Sequence, residues 1–278
     1  MIMQLTDQQR QQFRETGFLI LRGLLSPEET RRYFGELDAL LRAAFGAPYD
    51  DQTAHWVPAT DRYTPFAAGL LADERFRGIA TELLGRPILG EGTDGSYYVG
   101  DTRWHHDAVH PDLFEAVKFT LYGAPVDGAS GALRLVPGSH RLPLHDELTQ
   151  KAKDAARRAD SFPAVVFESA PGDAVVFDVR VWHGAFNGAC RIAGSVNYRI
   201  DPETDHEIAA CQSYFARSHR HVGERYGAAL ALYPEYFRSL PDPQHRRWVS
   251  RLNELGVLDP PPKDDPRSTD PSSREVSQ

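Results

Sequence analysis

The sequence predicts a mainly β protein with flanking helices, its core an antiparallel barrel or jelly roll. Three observations carry this. Between Pro87 and Asp201, short extended runs alternate with turn dipeptides such as Asp127-Gly128, Pro137-Gly138 and Pro171-Gly172, the punctuation of an antiparallel barrel or jelly roll. Before and after that stretch, apolar residues recur at helical spacing instead. The 278 residues are 41% hydrophobic, enough to bury one sizeable core.

Taken in order, Thr6 to Thr16 reads as a short amphipathic helix, with Thr6 as cap and Gln9 completing a capping box. Gly17 ends it, and the apolar run Phe18-Leu19-Ile20-Leu21 has strand length. Ser26-Pro27-Glu28-Glu29 starts a second helix, with Tyr33, Phe34, Leu37, Leu40 and Leu41 on its apolar face. Gly46 to Pro65 reads as a long loop of the lid type. Asp73 to Leu84, closed by Gly85, reads as a third helix. Strands are predicted at Tyr97–Val99, Ala116–Tyr122, Ala132–Val136, Ala164–Glu168, Ala174–Phe177 and Ser195–Arg199. Helices return from His206 to about Gly227 and from Pro241 to Leu255. The organisation expected is one domain over 1–258: a helical N-terminal region (1–86), the jelly-roll core (87–201) and C-terminal helices (202–258). The Pro-, Asp- and Ser-rich tail 259–278 has too little apolar surface to fold and reads as disordered.

Composition narrows the function. The net charge of −8 and the lack of a clustered Lys/Arg stripe argue against nucleic acid as a partner. No apolar run approaches the length of a membrane span, and the polar stretch Met1–Arg14 lacks the apolar core of a signal peptide. Two cysteines, Cys190 and Cys211, make no disulfide framework. A cytoplasmic protein acting on a small molecule, without an obligate protein partner, is the expectation.

The chemistry is carried by Arg103-Trp104-His105-His106-Asp107 and Val181-Trp182-His183. In an extended strand, residues i and i+2 share a face. His105 and Asp107 therefore point together, His106 points away, and His183 supplies a third ligand from a distant strand. Two histidines and a carboxylate form the facial triad of non-haem Fe(II) oxygenases, which leaves three coordination positions open. Read alone, His105-x-Asp107 is an ordinary polar triplet; with His183 it becomes a metal site.

The chain resembles the phytanoyl-CoA dioxygenase-like family of Fe(II)/2-oxoglutarate oxygenases over roughly residues 5–200. The resemblance lies in Phe13-Arg14-Glu15-Thr16-Gly17-Phe18-Leu19-Ile20-Leu21-Arg22-Gly23, in Trp104-His105-His106-Asp107, in Gly131-Ala132-Leu133-Arg134-Leu135-Val136-Pro137-Gly138-Ser139-His140, and in Pro171-Gly172-Asp173-Ala174-Val175-Val176-Phe177. It implies a double-stranded β-helix core, a jelly roll of the cupin-like kind, with helices packed outside. The implied cofactors are Fe(II), 2-oxoglutarate and O₂, with ascorbate as an accessory reductant. It also implies an Arg after the second His that grips the far carboxylate of 2-oxoglutarate. Arg191 and Arg199 compete for that place. Arg191, heading a strand that runs to Tyr198, matches the family's framing, though the loop from His183 is then shorter than usual. A planar guanidinium suits a bidentate carboxylate.

Around this centre, Thr120 and Tyr97 are expected to border the cosubstrate, with Lys118 on the same face as Thr120. Arg103, His106 and Trp182 are expected to meet the substrate. His140 and Asp173 read as turn residues. The reaction implied is hydroxylation of an aliphatic C–H bond of a small secondary metabolite, with release of succinate and CO₂. Desaturation, epoxidation, cyclisation and epimerisation are alternatives on the same site. Because Asp107 keeps the carboxylate position, no site is freed for chloride, and halogenation is disfavoured. Two rivals differ in class: a zinc hydrolase using the string His106-Asp107-Ala108-Val109-His110, and a jelly roll that binds metal without turnover.

Overall fold

The computed structural model describes residues 4–46, 53–108, 113, 115–155, 158–227 and 230–262; His110 and the tail beyond 262 lie outside them. The helical N-terminal region contains α1 (Asp7–Thr16), β1 (Phe18–Leu21), α2 (Pro27–Phe45), β2 (His55–Pro58), α3 (Pro65–Leu70) and α4 (Glu74–Leu84). Both predicted capping boxes form: Thr6 with Gln9 on α1, and Ser26 with Glu29 on α2. Gly17 and Gly85 close α1 and α4 at positive φ, which costs glycine no steric penalty.

The central region contains β3 (Ile88–Tyr98), β4 (Thr102–His105), β5 (Ala116–Tyr122), β6 (Leu133–Leu135), α5 (Leu144–Ala155), β7 (Val165–Val166), β8 (Ala174–Asp178), β9 (His183–Ala185) and β10 (Arg191–Ile200). The chain then continues through α6 (Asp205–Tyr226), α7 (Glu235–Ser239) and α8 (Pro243–Glu254). The strands form two antiparallel sheets, a large one in the order β1-β8-β5-β10-β3-β2 and a small one in the order β4-β9-β6-β7.

Alternation sorts the large sheet's side chains into two cores. Val117, Phe119, Leu121, Val176, Val196 and Tyr198 face the helices, packing with Tyr33, Leu37, Phe76 and Trp248. Phe18, Tyr122, Val175, Phe177 and Ala193 face the small sheet, packing with Leu133 and Leu135. A third cluster, Trp104, Val136, Leu148, Phe162, Trp182 and Phe186, covers the outer face of the small sheet beneath α5.

The expectations need three corrections. The protein is a mixed α/β assembly of antiparallel sheets, with more residues in helices than in strands, so "mainly β" overstates it. The loop Gly46–Pro65 contains β2, which pairs antiparallel with β3. β3 is far longer than Tyr97–Val99, because Gly90 and Gly95 resemble turn residues but serve close packing. A Cβ on Gly90 would lie 2.8 Å from Leu71 and Trp248, and one on Gly95 would lie 3.0 Å from Leu37. A strand glycine often marks such an approach.

Candidate active site

The triad converges between the two sheets. His105 and His183 are direct register partners across the β4–β9 pair. Their ring centroids are 4.3 Å apart. Asp107 follows β4, its N–H donating to Val179 O at 2.9 Å. Its Oδ1 lies 3.5 Å from His105 Nε2 and 3.8 Å from His183 Nε2. The three ligand atoms all lie within 4.8 Å of one another, a set able to hold one metal ion.

Backbone carbonyls orient both rings. His105 Nδ1 contacts Arg103 O at 2.7 Å, and His183 Nδ1 contacts Val181 O at 2.8 Å. An Nδ1–H spent on a carbonyl leaves the Nε2 lone pair for a metal. Burial, with His105 close by, pushes His183 down to about 3, so it is the neutral imidazole that a metal requires. Burial opposes ionisation of Asp107, yet the Lys118 ammonium holds its carboxyl well below the usual range. The carboxylate is therefore charged at neutral pH. Lys118 Nζ donates to Asp107 Oδ2 at 3.0 Å.

Arg191 lies at the start of β10 and is buried. Its Nη1 donates to Gly100 O at 3.0 Å. Its Nε and Nη2 are buried with no hydrogen-bond partner among the described residues. The guanidinium carbon is 5.2 Å from the Tyr98 ring centroid. Gly131 and Gly188 press against it; a Cβ on Gly131, which sits at φ +90°, would lie 2.8 Å from Arg191 Cζ. An unmatched guanidinium edge inside the protein fits one end of a dicarboxylate. Arg199 differs: it is locked between Glu91 (2.5 Å) and Glu115 (2.6 Å).

Other expected residues fall on either side. Lys118, Thr120 and Tyr122 share the inner face of β5, since Val117, Phe119 and Leu121 pack outward. Thr120 thus sits between the residue that holds Asp107 and the one on Arg191's side. Tyr97 belongs to the helix-facing core, so the expectation for it is corrected. Its neighbour Tyr98, the register partner of Arg191, faces inward; one residue of phase separates the two. Arg103 supplies the carbonyl that orients His105.

Trp182 belongs to the cluster behind the small sheet. His106 packs there too, its ring centroid 4.7 Å from His145 and 5.2 Å from Trp182. Neither faces the triad, which corrects their assignment to substrate. His106 is also turned away from His105, Asp107 and His183; its partner in the hydrolase string, His110, lies outside the described residues. A cavity of about 560 Å³ lined by Leu144, Leu148, Lys151 and Phe162 lies on this same outer side. A smaller one of about 60 Å³, lined by Trp56, Asp94, Asn197 and Tyr214, lies on the large-sheet side instead, at the β10 rung that pairs Asn197 with Lys118. The lid-type loop 46–65 and the helices after Asp201, both legible in the sequence, supply part of its lining, whereas Glu91 to Asp94 fall in the stretch of β3 that the sequence misreads. His140 is buried against Gly17, and Asp173 binds Arg22 and the Gly23 N–H; both are structural.

Fold and site together define the class: a non-haem iron, 2-oxoglutarate-dependent oxygenase. The chain belongs to the phytanoyl-CoA dioxygenase (PhyH) family, whose profile matches residues 13–191. It is similar to an ectoine dioxygenase of Streptomyces anulatus, 25% identical over 210 residues, covering 63% of this chain and 70% of that enzyme. It is also similar to the multifunctional dioxygenase ausE of Emericella nidulans, 28% identical over 207 residues; this covers 64% of this chain and 66%, just under two thirds, of that one. Among solved structures, HygX from Streptomyces hygroscopicus with nickel and 2-oxoglutarate bound superposes with a TM-score of 0.59 at 18% identity, covering 73% of this chain and 94% of HygX. The epimerase SnoN from nogalamycin biosynthesis gives 0.55 at 22% identity, covering 70% and 83%.

Proposed function

We propose that this oxygenase hydroxylates an aliphatic C–H bond of a small secondary metabolite, with His105, Asp107 and His183 holding Fe(II) and Arg191 holding the C5 carboxylate of 2-oxoglutarate. The observation that carries this is the pairing of a converged His/Asp/His cluster with a buried guanidinium whose Nε and Nη2 are unmatched. When bound, iron would let O₂ act as the oxidant: one oxygen atom would enter succinate as 2-oxoglutarate loses CO₂, and the other would enter the substrate. The protein supplies placement. Backbone carbonyls aim the imidazoles, Tyr98 and two glycines seat the guanidinium, and Thr120 borders the cosubstrate between its two ends. The cavity of Trp56, Asp94, Asn197 and Tyr214, at the rung of Lys118, is the place for part of the substrate. Relatives named for ectoine and for multifunctional oxidations support a small-molecule substrate.

Among the described residues no helix is long and apolar enough to cross a membrane. With Cys190 and Cys211 both free, a reducing cytoplasm is the compartment we propose. Desaturation, epoxidation, cyclisation or epimerisation would use the same residues, and product mass separates them from hydroxylation.

The test is anaerobic addition of Fe(II), then 2-oxoglutarate, to metal-free protein, followed by a substrate screen for succinate release. A weak visible charge-transfer band is expected, absent in Asp107→Ala. Iron uptake without a band would leave a metal-binding jelly roll with no turnover.

A further inference from the structure

We infer that Lys118 is a positioning residue that makes Asp107 a one-oxygen ligand and so keeps the third open metal position available. This rests on the iron-site reading above. The two carboxylate oxygens of Asp107 have different surroundings. Oδ1 faces His105 Nε2 and His183 Nε2 at 3.5 and 3.8 Å. Oδ2 accepts from Lys118 Nζ at 3.0 Å. The ligands belong to the small sheet and its flanking segment, whereas Lys118 projects from β5 of the large sheet. The ion pair is thus a strut across the gap between sheets. The Lys118 side chain is only 25% exposed, and Asp94, a second carboxylate near it, accepts from the amide of the strand neighbour Asn197 at 2.9 Å.

The stoichiometry of the site gives the strut its purpose. Carboxylates bind metals through one oxygen or two. With two histidines, a one-oxygen aspartate fills three of six positions; a chelating aspartate fills four. A 2-oxo acid bound through two oxygens takes two more. Only the one-oxygen form then leaves a place for O₂. A charge-assisted hydrogen bond to a partly buried carboxylate biases such a choice by roughly ten- to a hundredfold. Lys118 spends its ammonium on the oxygen that would otherwise close the site.

The experiment compares wild type with Lys118→Met, Lys118→Gln and Lys118→Arg. Cobalt-loaded crystals grown without 2-oxoglutarate report the carboxylate directly: one-oxygen Asp107 in wild type and Lys118→Arg, chelating Asp107 in Lys118→Met. Nitric oxide, a surrogate for O₂, is then titrated anaerobically into protein holding Fe(II) and 2-oxoglutarate and followed by electron paramagnetic resonance. Lys118→Met should need at least tenfold more nitric oxide than wild type. Lys118→Arg should restore most of the affinity, and Lys118→Gln, a neutral donor that also serves if the Met variant fails to fold, should fall between. One-oxygen Asp107 together with wild-type nitric oxide affinity in Lys118→Met overturns the inference. So does weakened 2-oxoglutarate binding with Asp107 unchanged, which would make Lys118 a cosubstrate ligand. If wild type forms no iron–2-oxoglutarate complex, the oxygenase reading fails, and the cobalt crystals still decide the role of Lys118.

Discussion

The two ends of β10 carry one arginine each, and the two are treated in opposite ways. Arg199 is nearly inaccessible and shared by Glu91 and Glu115, with Tyr214 stacked on it at 4.2 Å. Arg191, also buried, has no carboxylate among its described contacts; carbonyls and the Tyr122 hydroxyl, none of them charged, stand beside its guanidinium. A buried cation with its full complement of anions joins secondary structure elements. A buried cation lacking one holds a place for a ligand that brings it. Strand, alternation and residue type are the same, so the partners alone distinguish structure from function.

Breaking the saturated end should have the largest effect on stability. Arg199→Gln leaves Glu91 and Glu115 buried without a cation, and about 3–5 kcal/mol of unfolding free energy should be lost in urea titrations. Burial already holds Glu91 above the usual carboxylate range, against the pull of Arg199. A carboxyl with a raised folded pKa favours the folded state when protonated, and that contribution fades as pH rises through the folded value. The penalty in Arg199→Gln should therefore be smallest in mild acid and grow toward neutrality. A penalty that does not vary with pH would remove Glu91 from this account.

Breaking the unsaturated end should leave the fold intact. Arg191→Gln is expected to weaken 2-oxoglutarate binding by roughly a hundredfold, as for a lost bidentate charge-assisted pair, while thermal melting stays near wild type. Loss of fold with unchanged cosubstrate affinity would exchange the roles of the two arginines. Arg191→Lys should recover little, because an ammonium cannot reproduce the planar fork.

A gentler change sharpens the same contrast. Gly188→Ala would place a Cβ against the Arg191 guanidinium, and the cosubstrate KM should rise about tenfold with kcat less affected, as expected when uniform binding is lost. The smallest effect lies far from both arginines. Glu29 joins the start of α2 to Arg75 on α4 at 2.6 Å, and the Arg75 hydrogen bond, resisted by partial burial, holds it down to about 2. A lowered carboxyl stabilises the fold above its unfolded pKa and ceases to as pH falls through the folded value. Glu29→Gln should thus lower stability modestly above about pH 4.5 and flatten the profile between about pH 4.5 and 2, where the wild-type contribution is lost.

Much of this is legible from local signals. The capping residues Thr6 and Ser26, the alternation of β5 and the i, i+2 geometry of His105 and Asp107 are short-range, and each has a mechanism. What sequence misses depends on distant packing. Gly90 and Gly95 look like turn residues until Leu71, Trp248 and Leu37 are seen against the strand. That misreading moves the inward tyrosine from Tyr98 to Tyr97. Alternation puts Lys118 and Thr120 on one face, but the reach of Lys118 to Asp107 crosses from one sheet to the other, which no spacing rule encodes. Trp182 and His106 flank the ligands in sequence and therefore alternate away from them in space.

The pairing of His105 with His183 across one rung of a β-ladder has a practical consequence for handling the protein. The spacing of two ligands is maintained by peptide groups, not by the ion they receive, so the apoprotein is a socket already cut to size. A chelator should strip this protein without melting it, in contrast to small zinc domains whose fold is the metal's own work. Circular dichroism before and after treatment should superimpose, and reloading should be limited by how fast ions arrive.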